Sequence, residues 1–377
     1  MKRRILLLVL SMIVLFSSFI AASAQTNIVD SMDFLGSTHE LSFNGAISIL
    51  LKDSTSVKIE QINIQQAKIN ADKLVDTINS LQKAVNYSND LAAGKGLKIS
   101  KLNRDYFPAQ AQRNYDCTVA GLKADLEKSY YGLLQAQQNV DIYKNNLDVT
   151  KDLLDKAQKR FELGMAAKQE VLSGEYAYTK AVTDYNASVN SFKNAKMNLN
   201  IVLNFNVMDE IKLKDGLKPV EFIPGSIAGG VSKALESRNE IKAVEYAYNM
   251  QQITAEAERM TNSDSIAYSL EKLNLDKAAQ NVDITKKRIE QEVRGNYMSL
   301  LQKADEIKAG QKLVDNTAEA LKISKTKYES GLGVLTDVQS AQIEYMRAQL
   351  GLSAAILDYN LAVSTYKDSI SVGRAKQ

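Results

Sequence analysis

A seven-residue apolar repeat, present twice at a fixed offset, constrains this chain more than any other feature. Residues 126–200 align without a gap on residues 293–367, a shift of 167, with 15 identities in 75 positions. Tyr130 falls on Tyr297, Leu133 and Leu134 on Leu300 and Leu301, Gly164 on Gly331, and Val171 on Val338. Every seventh residue from Leu126 is apolar or aromatic: Leu126, Leu133, Val140, Leu147, Leu154 and Phe161. The second copy reads Val293, Leu300, Ile307, Val314, Leu321 and Tyr328. A strict period of seven holds an apolar seam along one side of a helix, and such seams pack as coiled coils.

The stripe resumes after each glycine, through Val171, Tyr178, Tyr185, Phe192 and Leu199, and through Val338, Tyr345, Leu352, Tyr359 and Tyr366. A parallel stripe of small residues (Gly174, Ala181, Ser188, Ala195; then Ala341, Ala348, Ala355, Ala362) lets neighbouring helices approach closely. Aromatic residues at this unbroken spacing are a packed seam rather than a ligand-stacking platform. Each copy is therefore a helix, a tight turn and a returning helix. The turns are Phe161–Met165 and Tyr328–Gly333, where Gly164 and Gly331 supply a left-handed cap after basic last turns. The 44 residues from Ala120 to Leu163 would form a rod of about 66 Å, and the 60 from Leu270 to Glu329 one of about 90 Å. A single hairpin of this kind cannot bury its own seam.

A shorter helical stretch precedes each hairpin, Leu41 to about Ala84 and about Ile227 to Met260. There Leu51, Val57 and Lys58 fall on Leu235, Ile241 and Lys242 at a shift of 184, so the first copy holds 17 more residues before its hairpin. Gly94, Gly96 and Pro108 place that extra length in a loop at residues 86–116. In the second copy the break is short, Thr261–Ser265. Pro219, Pro224, Gly225, Gly229 and Gly230 mark residues 205–230 as a linker. The expected organisation is a first repeat over 25–204, the linker, and a second repeat over 231–377.

Composition removes several function classes. Lys2, Arg3 and Arg4 account for the whole net charge of +3, and a neutral remainder does not suit a phosphate-tracking surface, so no nucleic-acid partner is expected. One His and one Cys in 377 residues leave no metal-ligand cluster and no His-based triad. Neither a catalytic constellation nor a cofactor site can be assembled, and the chain reads as a non-enzyme. Residues 1–24 form an export signal: the basic start, an apolar run from Ile5 to Phe16, and Ala22-Ser23-Ala24 before Gln25. Export to the cell envelope follows. Cys117 has no partner within the chain and reads as a small buried residue.

The two turn motifs give the chain a resemblance. They are Arg160-Phe161-Glu162-Leu163-Gly164 leading to Glu170-Val171-Leu172, and Lys327-Tyr328-Glu329-Ser330-Gly331-Leu332 leading to Thr336-Asp337-Val338-Gln339. Flanked by duplicated coiled-coil helices and preceded by Leu41-Ser42-Phe43-Asn44-Gly45-Ala46-Ile47, they resemble the TolC-like outer-membrane efflux proteins over nearly the whole mature chain. The resemblance implies an all-α protomer of two tandem hairpin repeats. Three protomers would close a twelve-helix tunnel. The homotrimer would dock through its hairpin tips, at Gly164, Met165, Gly331, Leu332 and Gly333, on a periplasmic adaptor (a membrane fusion protein) joined to an inner-membrane transporter. Asp337 falls where many members place an acidic gate residue, and Glu170 is its counterpart in the first copy. An acid in the first turn of a helix also favours the helix dipole, so capping is the competing role for both.

One departure from the family is visible. Its members usually carry β-hairpin inserts that combine into a membrane barrel, and a spanning strand needs about 9–11 alternating residues. Residues 86–116 show only Leu97/Ile99 alternation among lysines, and Thr261–Ser265 is too short for one strand. The sequence thus points to a passive export conduit at the outer membrane or in the periplasm. The alternative is a barrel-less envelope protein that reuses the tunnel as a structural or interaction scaffold.

Overall fold

The computed structural model describes residues 36–88 and 90–374; the export signal at 1–24 lies outside them. Strand β1 (Thr38–Leu41) leads into α1 (Phe43–Asp53) and α2 (Thr55–Ser88). Helix α3 (Leu91–Glu162) and α4 (Lys168–Val202) form the first long hairpin. Strand β2 (Glu210–Leu213) follows, then α5 (Ile227–Ser237), α6 (Asn239–Thr261), and the second hairpin of α7 (Ile266–Glu329) and α8 (Leu335–Ser369). Among the described residues the fold is almost wholly helical, with no closed barrel. Its two four-residue strands pair only with each other, in parallel register with Thr38 opposite Glu210.

Helices α3 and α7 are rods of 72 and 64 residues, roughly 108 and 96 Å long. Half-length helices line them end to end: α2 and α4 along α3, α6 and α8 along α7. Along most of their length the rods stand apart, and near the tips Lys156 and Arg160 of α3 reach Glu329 and Tyr328 of α7. Helix α8 bridges the rods in the half that holds the tips, and α6 in the other half, where each also packs on α3. Every level is thus a layer four helices wide, ordered α4–α3–α8–α7 near the tips and α2–α3–α6–α7 beyond the middle.

The seam packs as its period requires. Leu126, Leu133 and Leu154, and Val293, Leu300, Leu321 and Tyr328, are buried. Two equivalent cores sit at mid-length. One joins Leu126, Tyr130 and Leu133 to Leu41, Leu50, Leu199 and Ile211. The other joins Val293 and Leu300 to Val231, Ile241, Val363 and Tyr366. The small-residue stripe does what its size permits at Gly174, where a Cβ would stand 3.1 Å from Leu154 Cδ1. The β-ladder ties the chain before α1 to the segment read as linker, and it carries the molecule's lone histidine. His39 meets Asp209 at 3.0 Å and stacks on Phe205 at 4.0 Å between ring centroids. Cys117 is a buried free thiol; burial pushes it up to about 11, and it donates to the Val372 carbonyl.

The loop expected at residues 86–116 is helix. Helix α2 runs to Ser88 and α3 begins at Leu91, with Pro108 inside α3. The start signal is Asp90, whose Oδ1 accepts from the N–H groups of Ala92 (2.8 Å) and Ala93 (3.2 Å). Packing of Ala93, Leu97, Ala111 and Cys117 holds the helix across its weak residues. The 17 additional residues therefore lengthen the hairpin. Helix α2 is eleven residues longer than α6 and α3 eight longer than α7, against a connection two residues shorter. The segment at 205–230 is also more ordered than a linker, since it contains β2 and the start of α5.

Polar groups are buried where the repeats meet at mid-length. Glu127 on α3 is largely buried beside Ser364 and Asp368 of α8, and its Oε2 has no hydrogen-bond partner among the described residues. Burial first, then Asp368, raises its pKa against the opposing effect of the Ser364 bond. A raised carboxylate contributes stability below its unfolded value and loses it as pH rises through the folded one. Glu127→Gln is therefore expected to raise the melting temperature at pH 7, with the gain vanishing near pH 4. Thermal unfolding at both pH values measures this, and a lower melting temperature at pH 7 would show that the carboxylate's partners outweigh its burial.

Candidate functional site at the hairpin tips

Both long hairpins turn at the same end of the layer, and the two turns are built alike. Gly164 (φ +72°) and Gly331 (φ +77°) hold the left-handed conformation in which a side chain is strained. At the first turn Met165 N–H donates to the Arg160 carbonyl (2.8 Å) and Gly164 N–H to Phe161 (2.9 Å). At the second, Leu332 N–H donates to Lys327 (2.8 Å) and Gly331 N–H to Tyr328 (3.1 Å). This paired closure is the Schellman cap, which satisfies the last carbonyls of α3 and α7. Space at Gly333 is tight: a Cβ there would lie 3.2 Å from the Tyr328 backbone nitrogen, so the turn would have to give by a few tenths of an ångström.

The turns end in apolar side chains that stand largely open to solvent among the described residues. Leu163, Met165, Leu332 and Val334 are 74, 66, 82 and 57% exposed. Of the residues singled out at the tips, Met165 and Leu332 thus project into solvent, while the three glycines shape the turns.

Glu170 and Asp337, equivalent in sequence, are placed differently. Glu170, in the first turn of α4, accepts a 2.6 Å hydrogen bond from Tyr328 Oη across the two hairpins. Tyr328 is 2% exposed, and burial together with that bond pushes its phenol up to about 12. Arg160 crosses the same gap: its guanidinium lies 4.8 Å from the Tyr328 ring centroid and donates to the Tyr328 carbonyl at 3.1 Å. Lys156 bridges to Glu329 at 3.1 Å, and Ser173 donates to Gln339 Oε1 at 3.0 Å. The tip of one repeat is therefore fastened to the tip of the other. Asp337, in contrast, is exposed in the first turn of α8, and its carboxylate makes no hydrogen bond or ion pair among the described residues. Of the two acids, Glu170 is tied across the repeats and the Asp337 carboxylate is not. Tyr328 and Arg160 were visible only as parts of the turn motifs; that they bridge the repeats depends on a contact 158 to 168 residues apart.

Neither a family model nor a curated sequence matches the chain. Solved structures do match. The Campylobacter jejuni CmeC outer membrane channel superposes with a TM-score of 0.66 at 14% identity, covering 89% of this chain and 87% of that one. The outer membrane protein VceC from Vibrio cholerae gives 0.67 at 12%, covering 88% and 96%. The Neisseria gonorrhoeae MtrE outer membrane channel, in its open state, gives 0.62 at 14%, covering 89% and 91%. The fold is thus that of a TolC-type helical-tunnel protomer, and the resemblance read from the turn motifs holds at the level of the fold.

The tip contacts lead to one expectation. Tyr328→Phe keeps the packed ring but removes the bond to Glu170, a charge-assisted interaction worth roughly 1.5–3 kcal/mol. Amide hydrogen exchange across residues 165–175 should quicken while exchange at the mid-length cores stays unchanged. Unaltered exchange at the tip would mean that Arg160 and the Ser173–Gln339 pair hold the hairpins without the phenol.

Proposed function

We infer that the chain is one subunit of a homotrimeric, passive export conduit of the cell envelope. The observation that carries this reading is the pair of unlike apolar edges. On one side of the layer α2 exposes Ile59, Ile62 and Ile69, at 52, 55 and 56%. On the other, α7 exposes Leu273, Ile284 and Met298, at 66, 59 and 65%. Exposed stripes of this length mark interfaces. Two unlike edges on opposite sides of the layer suit a contact between the α2 edge of one copy and the α7 edge of the next. They join head to tail, and a head-to-tail contact that closes makes a ring. Three four-helix layers would give twelve helices around a lumen.

In that ring the tips gather at one end. Met165 and Leu332 then form an apolar crown suited to the helical hairpin of a periplasmic adaptor, itself joined to an inner-membrane transporter that supplies the work. The Tyr328–Glu170 and Arg160–Tyr328 contacts would hold the entrance in one arrangement, and Asp337, exposed and unpaired, would place a ring of three carboxylates there. The fold shared with outer membrane channels supports a place at the outer membrane or beside it. A second reading stays alive on one observation: the end opposite the tips is made of helical hairpins, so the same ring could serve as a barrel-less scaffold held in the envelope by partners.

Mass photometry of the mature protein at micromolar concentration should show a trimer; a stable monomer would overturn the ring. Met165→Asp combined with Leu332→Asp should preserve the trimer and abolish crosslinking to the adaptor. Undiminished crosslinking would reduce the tips to turns.

A further inference from the structure

A groove runs along the layer face in the tip half, within one protomer. Its floor is α3, and its walls are α4 of the first repeat and α8 of the second. It encloses about 540 Å³, inside the range of small-molecule sites. Ser173 and Gln339, joined by a hydrogen bond, line its tip-side part. Wall residues recur at helical spacing, Ala177 and Ala181 on α4 and Ile343, Met346 and Leu350 on α8, so the interior is largely apolar. Tyr143 and Tyr176 add aromatic surface.

The α8 wall holds an unsatisfied acceptor. Gln342 is 3% exposed and lines the groove. Its Nε2 donates to Asn146 Oδ1 at 3.2 Å, but its Oε1 has no hydrogen-bond partner among the described residues. Gln342 Oε1 is itself shut off from solvent, so a bound N–H or O–H reaches it as the amide turns toward the groove, and the pairing relieves the desolvation cost of an acceptor without a donor. The charges around the groove are already compensated. Lys180 pairs with Asp184 at 2.6 Å, and Arg347 with Glu344 at 2.7 Å. No net charge is left for an ion to answer.

We propose that this groove binds a small, uncharged amphipathic molecule with an aromatic or apolar body and one N–H or O–H donor directed at Gln342 Oε1. Because its walls belong to different repeats, an occupant adds contacts between the two hairpins. It therefore stabilises the arrangement in which α4 and α8 lie side by side, in proportion to its concentration over its dissociation constant. The site does not depend on trimerisation or on an adaptor.

N-phenyl-1-naphthylamine is a suitable probe: it is neutral, carries one N–H, and brightens in apolar surroundings. Titrated into the mature protein without detergent micelles, it should give a saturable rise at one molecule per protomer. Ala177→Trp and, from the opposite wall, Ile343→Trp should each weaken binding about tenfold or more, equivalent to roughly 1.4 kcal/mol. Circular dichroism should confirm unchanged helix content in both. The N-methyl analogue, lacking the donor, should bind the unmodified protein about fivefold more weakly, as the loss of one net hydrogen bond implies. It should match the parent probe on Gln342→Leu. Absence of saturable binding, indifference to both tryptophan variants, or equal affinity of the two probes for the unmodified protein would each overturn the proposal.

Discussion

Neither long helix can hide its apolar stripe alone, and that requirement organises the molecule. A rod of 64 or 72 residues has no tertiary contact with itself, so its seam must be covered by other helices along the whole length. The chain solves this by folding back twice per repeat, once at the tip and once at the opposite end, laying two half-length helices along each rod. The mid-length cores around Leu126 and Val293 are where the ends of these half-helices meet, and there the β-ladder, α1 and α5 close the gap. A residue that weakens the seam at mid-length thus loosens two half-helices at once.

The repeats have kept the seam and diverged at its end. Phe161 and Tyr328 occupy equivalent positions, yet Phe161 is 44% exposed and Tyr328 2%. The hydroxyl on the second ring explains the difference in role. It gives the buried residue a polar atom that can reach Glu170, and Arg160 of the first repeat covers its face. Phe161, without a hydroxyl, has no donor for a reciprocal bond to Asp337, so the fastening is made once. Duplication supplied the scaffold, and asymmetry at one position in the heptad supplied the fastening.

What could be read from the sequence was local and periodic. The seams, the Gly164 and Gly331 caps and the hairpins follow from residues within a few turns of one another. The loop expected at 86–116 failed because Gly94, Gly96 and Pro108 were weighed as helix breakers, whereas tertiary burial of Leu97, Ala111 and Cys117 outweighs their intrinsic cost. Strands β1 and β2 were not legible: four residues carry little alternation, and their pairing spans 172 positions. The site divides in the same way. The tip glycines and the exposed Met165 and Leu332 are written in the motifs, while the link from Glu170 to Tyr328, and the lack of one at Asp337, depend on how the repeats sit together.

The unequal repeats have a geometric consequence at the end away from the tips. With the mid-length cores level, α3 starts eight residues beyond the position equivalent to the start of α7, so the first hairpin overshoots the second by roughly 12 Å. In a closed ring of such subunits tall and short prongs would alternate, giving a notched rim. A flat surface pressed against that rim would touch three prongs and leave three side windows open to the surrounding fluid. Whatever leaves the lumen at that end would have a lateral exit even when the axial one is blocked.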